Sequence, residues 1–179
     1  MASNGNAFAI WITGLPASGK STLTHALTKQ LSGQGIDVAV LESDELRKIL
    51  TPHPRYDEQE REAFYRQMVY FGTLMVQHGV PVIFDATANL RRYRDPARQR
   101  IPRFIEVYVD SPLELCMARD PKGIYKAAKV GATSTAPGLQ STYEPPEHPD
   151  IVVHGDREAP EEAARRVIDG LAEKGYIGL

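Results

Sequence analysis

An eight-residue stretch near the start of the chain has the residue types needed to bind a triphosphate. Residues 14–21 read G-L-P-A-S-G-K-S and fit the pattern G-x-x-x-x-G-K-[ST]. Gly14 and Gly19 permit backbone conformations and close approaches that a Cβ would obstruct, so successive N–H groups can surround an anion at a helix start. The predicted nucleotide-binding residues are Gly14, Ala17, Ser18, Gly19, Lys20, Ser21 and Thr22.

Two side chains of this stretch add charge and metal chemistry. Lys20 is predicted to reach the β- and γ-phosphates as a catalytic residue, and the Ser21 hydroxyl is predicted to bind Mg²⁺. The pattern therefore indicates a nucleoside triphosphate with Mg²⁺. A plain glycine turn without a ligand is the alternative, and the strand and helix patterns on either side argue against it.

The surrounding sequence alternates between strand and helix patterns. Short apolar or β-branched runs predict strands at 8–12, 37–41, 80–84, 104–109 and 151–153. Helices are predicted from 21, from about 44, and over 57–78, 113–119 and 160–174. This order predicts an α/β fold, a phosphate-loop kinase with a parallel five-stranded sheet flanked by helices.

Acidic residues follow two of the predicted strands. Asp44 comes just after the second strand and Asp85 ends the third. Because ligands bind at the carboxyl ends of parallel strands, we expect both carboxylates to share one site with Lys20 and Ser21. Asp85 is predicted to bind Mg²⁺ through water or to contact the acceptor.

Composition limits the other functions open to the chain. Its 179 residues suit a single domain spanning 1–179, and a net charge of −2 gives no electrostatic reason to expect nucleic acid or membrane binding. Cys116 is the only cysteine, which fits a reducing compartment. Residues 1–7 have no basic signal region, and no apolar run approaches the roughly 20 residues that span a bilayer. A cytoplasmic location is expected.

Two later segments are much more specific than the phosphate-binding pattern. Residues 119–131 read R-D-P-K-G-I-Y-K-A-A-K-V-G, and residues 137–146 read P-G-L-Q-S-T-Y-E-P-P. Together with W-I-T-G-L-P-A-S-G-K-S-T-L at 11–23 and F-I-E-V-Y-V-D-S-P-L-E-L-C at 104–116, they make the chain resemble the adenylylsulfate kinases. The resemblance covers nearly the whole chain.

The resemblance implies transfer of the ATP γ-phosphate to the 3′-hydroxyl of adenylylsulfate, a small anionic acceptor. Asp44 matches an acidic position near the attacking hydroxyl, and so is a second predicted catalytic residue. Arg119 matches a position near the ATP base, and Lys122 one near the nucleotide phosphates. A homodimer is compatible with the resemblance. The implied acceptor-binding residues are Asp44, Arg47, Tyr56, Arg61, Asp85, Lys122 and Tyr143.

A mobile lid is expected over approximately residues 119–145. Glycines and prolines bracket the basic segment 122–129, and residues 133–138 are small, polar and irregular. We expect nucleotide to order this lid and thereby exclude water from the reaction.

Three of the implied residues have ordinary alternatives. Arg47 could be a solvated helix residue, and Arg61 lies in a charge-rich stretch where pairing on a helix surface is common. Asp44 could cap the start of its helix, a frequent role of aspartate that does not exclude catalysis.

The chain departs from the family pattern on the acceptor side. Ala63 and Phe64 replace Glu-Asn, and Ala136 replaces one of the two aromatic faces that hold the acceptor's adenine, with Tyr56 left as the other. Ala88 stands where the family has a serine, which excludes a phosphoserine intermediate there. The alternatives are therefore a kinase of a different anionic nucleotide-linked hydroxyl compound, or a nucleotide-dependent regulatory ATPase.

Overall fold

The computed structural model describes residues 7–132 and 135–178, which contain five strands and seven α-helices. The strands are β1 (Ala9–Thr13), β2 (Ala39–Glu42), β3 (Val82–Asp85), β4 (Phe104–Asp110) and β5 (Ile151–His154). The helices are α1 (Lys20–Gly33), α2 (Ser43–Leu50), α3 (Glu58–Gln77), α4 (Asp95–Arg100), α5 (Leu113–Arg119), α6 (Ile124–Lys129) and α7 (Pro160–Glu173). A short 3₁₀ helix, Arg91–Tyr93, precedes α4.

The five strands form one sheet in the order β2-β3-β1-β4-β5, and every pairing is parallel. In this register Ile12 lies opposite Asp85, and Asp85 lies opposite Glu42. The carboxyl ends of β1, β2 and β3 therefore meet at one edge, directly below the start of α1. The predicted α/β class, strand number and parallel arrangement are confirmed.

Apolar side chains cover both faces of the sheet. On one face, α1 and α7 pack over residues such as Ile10, Ile12 and Val107. On the other face, the ring of Trp11 stacks on Phe84 with centroids 4.7 Å apart, in a cluster that includes apolar side chains of α3. Burial on both faces explains why β1 reads as a continuous apolar run.

Sequence patterns located the strands well and several short helices poorly. The long predicted helix is α3, which begins after Asp57, whose carboxylate accepts a hydrogen bond from the Glu60 N–H at 2.9 Å. The 3₁₀ helix, α4 and α6 were not predicted, because such short, charge-rich segments have no clear apolar period.

Within the predicted loop 133–138, Thr133 and Ser134 lie outside the described residues, as do residues 1–6 of the expected polar start. No helix in the described part of the chain is long and apolar enough to span a membrane.

Candidate active site

The loop between β1 and α1 has the strained, glycine-dependent backbone that its sequence predicts. A Cβ on Gly14 would lie 2.6 Å from the Val109 carbonyl oxygen, so only glycine fits there. Gly19, immediately before α1, has φ of 108°, and Ala17 is left-handed with φ of 62°. Left-handed alanine is uncommon and is held by its surroundings.

Several carbonyl groups of this loop accept hydrogen bonds from side chains, whereas many of its N–H groups have no acceptor among the described residues. Lys20 Nζ donates to the carbonyls of Gly14 at 3.1 Å and Leu15 at 2.9 Å, and Ser111 Oγ donates to the Ser18 carbonyl at 2.9 Å. The buried Ser18 hydroxyl has no hydrogen-bond partner within residues 7–132 and 135–178. Among the described residues, no acceptor is bound to the N–H groups of Ala17, Gly19, Lys20, Ser21 and Thr22. This set of donors at a helix N-terminus is suited to phosphate.

Lys20 and Asp85 bring opposite charges to the base of the loop. Burial lowers the pKa of the Lys20 ammonium, although the carboxylates of Asp85 and Asp44 act to raise it. Asp85 is 4% exposed, and one of its oxygens accepts a hydrogen bond from Thr24 Oγ1 at 3.0 Å. The structure thus brings Lys20, Asp44 and Asp85 together, as the sequence predicted.

A cleft of about 530 Å³ opens above these groups. Ala17, Gly19, Lys20, Ser21, Thr22, Asp44, Asp85, Arg119 and Lys122 are the predicted site residues that line it. Such a volume is in the range of small-molecule sites. The predicted nucleotide residues Gly14 and Ser18 lie in the same loop, below its surface.

The ammonium group of Lys122 crosses the cleft to the acidic edge of the sheet. It forms an ion pair with Asp44 and lies 3.7 Å from Glu42 Oε1. Burial acts to lower the pKa of Lys122, but the hydrogen bond and charge of Asp44 outweigh it and raise that pKa. Glu42 was not among the predicted site residues, and burial raises the pKa of its carboxyl group.

Asp44 does not have the capping role that was its alternative. It lies in the first turn of α2, whose cap position is Glu42 with no side-chain cap hydrogen bond. Arg119 lies at another wall of the cleft, where its guanidinium donates to the Gly155 carbonyl at 3.0 Å.

Arg47 is buried among aromatic rings at the side of the cleft. Its guanidinium lies 3.9 Å from the ring centroid of Phe64 and 5.0 Å from that of Tyr56, and its Nη1 is 3.3 Å from Glu60 Oε1. Only 7% of Arg47 is exposed, so the alternative of a solvated helix residue is wrong. Phe64, a departure from the family pattern, forms a face for this arginine.

Arg61 is also buried, and protein groups hold much of its guanidinium. Its nitrogens donate to the Tyr56 carbonyl at 3.0 Å, Asn89 Oδ1 at 2.7 Å and the Thr135 carbonyl at 2.9 Å. Asn89 in turn donates to the Thr142 carbonyl at 2.8 Å. Sequence reasoning missed Asn89 as a link between α3, the segment after β3 and the later lid, since this position departs from the family pattern.

Tyr143 lies beside the end of β1 rather than in the cleft. Its hydroxyl is 3.2 Å from Thr13 Oγ1, which donates to the Thr87 carbonyl at 2.7 Å. Burial raises the pKa of Tyr143. Tyr143, Arg47, Tyr56 and Arg61 do not line the cleft, so the predicted acceptor residues fall into two groups.

The other departures from the family pattern are enclosed by protein. Ala136 is 2% exposed, and its N–H donates to Gln140 Oε1 at 3.3 Å. Ala88 is fully buried with φ of 39°, and its N–H donates to the Tyr65 hydroxyl at 3.2 Å. Neither alanine presents a nucleophile or an aromatic face to the cleft.

Comparison with known sequences links the chain to one enzyme family. The sequence model of the family described as adenylylsulphate kinase matches residues 6–154. The chain is 39% identical over 170 residues to the probable adenylyl-sulfate kinase of Pyrococcus abyssi, covering 95% of this chain and 98% of that protein. It is 37% identical over 168 residues to the adenylyl-sulfate kinase of Microcystis aeruginosa, covering 94% and 93%.

Solved structures agree with these sequence relatives. The fold matches the Mycobacterium tuberculosis APS kinase CysC, solved in complex with AMPPNP and APS, with a TM-score of 0.87 and 32% identity. That match covers 93% of this chain and 98% of the mycobacterial chain.

Proposed function

The chain belongs to the adenylylsulfate kinase family, and from that premise we propose that it transfers the γ-phosphate of ATP to the 3′-hydroxyl of adenylylsulfate. It is a phosphotransferase with a small-molecule hydroxyl acceptor. A purely regulatory ATPase, one of the alternatives above, does not fit membership of this family.

The observation that carries the proposal is the shared cleft. The phosphate-loop residues whose N–H groups have no acceptor in the described ranges, together with Lys20, Asp44 and Asp85, line a single space of about 530 Å³. Phosphoryl transfer depends mainly on positioning and on electrostatic stabilisation of the transferring group, and these residues provide both.

On the donor side, the loop N–H groups and Lys20 would hold the phosphates of ATP. Ser21 and Asp85 would hold Mg²⁺, because both offer oxygen atoms at the cleft and Asp85 is a buried carboxylate with one hydrogen bond from Thr24. Bound there, Mg²⁺ would offset phosphate charge. Arg119 would lie at the base end of the nucleotide.

On the acceptor side, Asp44 would orient the 3′-hydroxyl or accept its proton. Lys122 now balances the charge of Asp44 and would pass to the phosphates as the acceptor binds. Arg47 would bind the anionic group of the acceptor, with Tyr56 stacking on the base. We propose smaller contributions from Arg61 and Tyr143. Transfer would be direct, because Ala88 has no hydroxyl to phosphorylate.

A second candidate acceptor is a different anionic nucleotide-linked hydroxyl compound. The enclosed Ala136 and the Phe64 ring under Arg47 favour it, since both alter the side that selects the acceptor. The retained Arg47 and Arg61 favour an anionic acceptor in either case.

Three further expectations stay proposals. We propose that residues 1–179 act as a single kinase domain with a lid at about 119–145. We also propose a cytoplasmic location, and assembly as a homodimer without nucleic acid or membrane partners.

An acceptor panel tests the proposal. The protein is incubated with MgATP and single acceptors, including adenylylsulfate and other anionic nucleotide-linked hydroxyl compounds, and ADP release is followed. We expect the highest kcat/KM with adenylylsulfate. A higher value with another compound would replace the acceptor while keeping the donor assignment.

A further inference from the structure

Tyr125 connects the lid to the phosphate loop. It lies on α6, its side chain is 1% exposed, and its hydroxyl donates to the Pro16 carbonyl at 3.1 Å. A second contact lies next to it, where a Cβ on Gly138 would be 2.6 Å from a methyl carbon of Leu15. Two segments of the lid therefore contact adjacent residues of the loop.

The carbonyl that Tyr125 binds belongs to the same peptide group as the Ala17 N–H. All peptide bonds in the described residues are trans, so this carbonyl and this N–H point in opposite directions. With the Pro16 oxygen held by Tyr125, the Ala17 N–H is directed away from the lid helix. It has no acceptor among the described residues, and Ala17 lines the cleft.

The backbone at Ala17 would otherwise favour a different orientation of this peptide. Its φ of 62° is left-handed, a conformation that is unfavourable for a residue with a Cβ. A flip of the Pro16–Ala17 peptide would move φ to a favourable negative value and turn the N–H away from the cleft. The hydrogen bond from Tyr125 opposes that flip.

In its hydrogen bond with the Pro16 carbonyl, the Tyr125 hydroxyl must be the donor. Burial raises its pKa well above the ordinary value of tyrosine, so it keeps its proton throughout the range in which the enzyme would work. A carbonyl oxygen can only accept, so the direction of the hydrogen bond is fixed.

We propose that Tyr125 is a positioning residue for the phosphate loop, and that its hydrogen bond to Pro16 directs the Ala17 N–H towards the β- and γ-phosphates of the nucleotide. The inference rests on the proposed function, since it needs a nucleotide with at least two phosphates in the cleft. It makes the donor site dependent on a lid residue that is not predicted to touch the substrate.

The test compares Tyr125→Phe with wild type and with Tyr176→Phe. The control also removes a tyrosine hydroxyl bonded to a proline carbonyl, since Tyr176 donates to Pro102 at 3.4 Å after the last helix. We expect Tyr125→Phe to bind MgADP about 3- to 10-fold more weakly by calorimetry. Its KM for adenylylsulfate should stay unchanged, and Tyr176→Phe should bind MgADP like wild type.

Amide chemical shifts give a readout that a general loosening of the lid would not produce. On adding MgADP, the shift change at Ala17 should shrink in Tyr125→Phe while those at Gly19 and Lys20 persist. If Tyr125→Phe and wild type had equal MgADP affinity and an equal shift change at Ala17, the positioning role alone would be overturned. Failure of the wild-type protein to bind MgADP would overturn the proposed function, and the positioning role with it.

Discussion

At the scale of single residues, Lys20 shows how the site combines charge and burial. Its ammonium group is held by two carbonyls of its own loop, Gly14 and Leu15, and is enclosed enough for burial to lower its pKa. In the described part of the chain this half-buried cation has only neutral carbonyls as hydrogen-bond acceptors, and phosphate oxygens would add the attraction of opposite charges. Lys20 is therefore suited to bind an anionic ligand.

Replacing Lys20 should abolish phosphoryl transfer and leave the fold intact. We expect Lys20→Ala to lower kcat for phosphoryl transfer by at least about 100-fold, because a charged group on the transferring phosphate is lost. Its circular dichroism spectrum should match that of wild type. The matched control is Lys29→Ala, which changes an exposed lysine on the same helix and should keep full activity. Full activity in Lys20→Ala would refute the donor-site assignment.

The backbone of the phosphate loop could be predicted from the sequence, because one short pattern with fixed glycines determines it. The surroundings of Arg47 could not be predicted in this way. Its burial against Phe64, Tyr56 and Glu60 brings α2 and α3 together, and no local pattern encodes such a contact. Glu42 was missed as a site residue because only the register of β2 against β3 places it beside Asp85.

At the scale of elements, a partly exposed ionic network ties the far side of the sheet together. Asp150, just before β5, accepts a hydrogen bond from the Glu106 N–H at 2.8 Å and pairs with Arg98 at 3.0 Å and Lys174 at 2.9 Å. These contacts link β4, β5, α4 and the end of α7. The sequence did not predict α4 or this network, because the charges that form it are far apart along the chain.

The network predicts a pH-dependent contribution to stability. Burial alone would raise the pKa of Asp150, but the Glu106 N–H, Lys174 and Arg98 outweigh it and lower that pKa. The stabilisation is therefore present above the ordinary pKa of aspartate and is lost as pH falls through the lowered value. At pH 7, Asp150→Asn should reduce the free energy of unfolding by about 1.5–3 kcal/mol in urea titrations.

In the same titrations at about pH 3, below the ordinary pKa of aspartate, the difference between Asp150→Asn and wild type should be smaller. Asp169→Asn is the control. Asp169 is an exposed residue of α7, and its side chain has no hydrogen bond or ion pair in the described ranges. It should change stability by less than about 0.5 kcal/mol at either pH. An equal loss for Asp150→Asn at both pH values would contradict the ionic origin.

At the scale of the whole molecule, the proposed lid contacts several separate parts of the candidate site. Its first part reaches the acidic edge through Lys122 and the phosphate loop through Tyr125. Its later part is bound by Arg61 at Thr135 and by Asn89 at Thr142. The resemblance in sequence pointed to this region, but only the fold shows which parts of the chain these contacts join.

Ligands that fill both sides should protect the lid from cleavage. We expect trypsin to cut after lysines of the segment 122–129 more slowly when a non-hydrolysable ATP analogue, Mg²⁺ and adenylylsulfate are all present, because closure buries these side chains. Cleavage sites are identified by mass spectrometry. Lys20→Ala should show much less protection at the same ligand concentrations. Cleavage of the wild-type lid at the same rate with and without ligands would argue against closure.

The most direct test of the account is the identity of the phosphorylated product. The wild-type protein is incubated with MgATP and adenylylsulfate, and the products are separated and assigned by mass spectrometry and ³¹P NMR. We predict one phosphorylated nucleotide per ADP released, with the new phosphate on the 3′-hydroxyl. Release of ADP without that product, or a phosphate at another position, would contradict the proposed function.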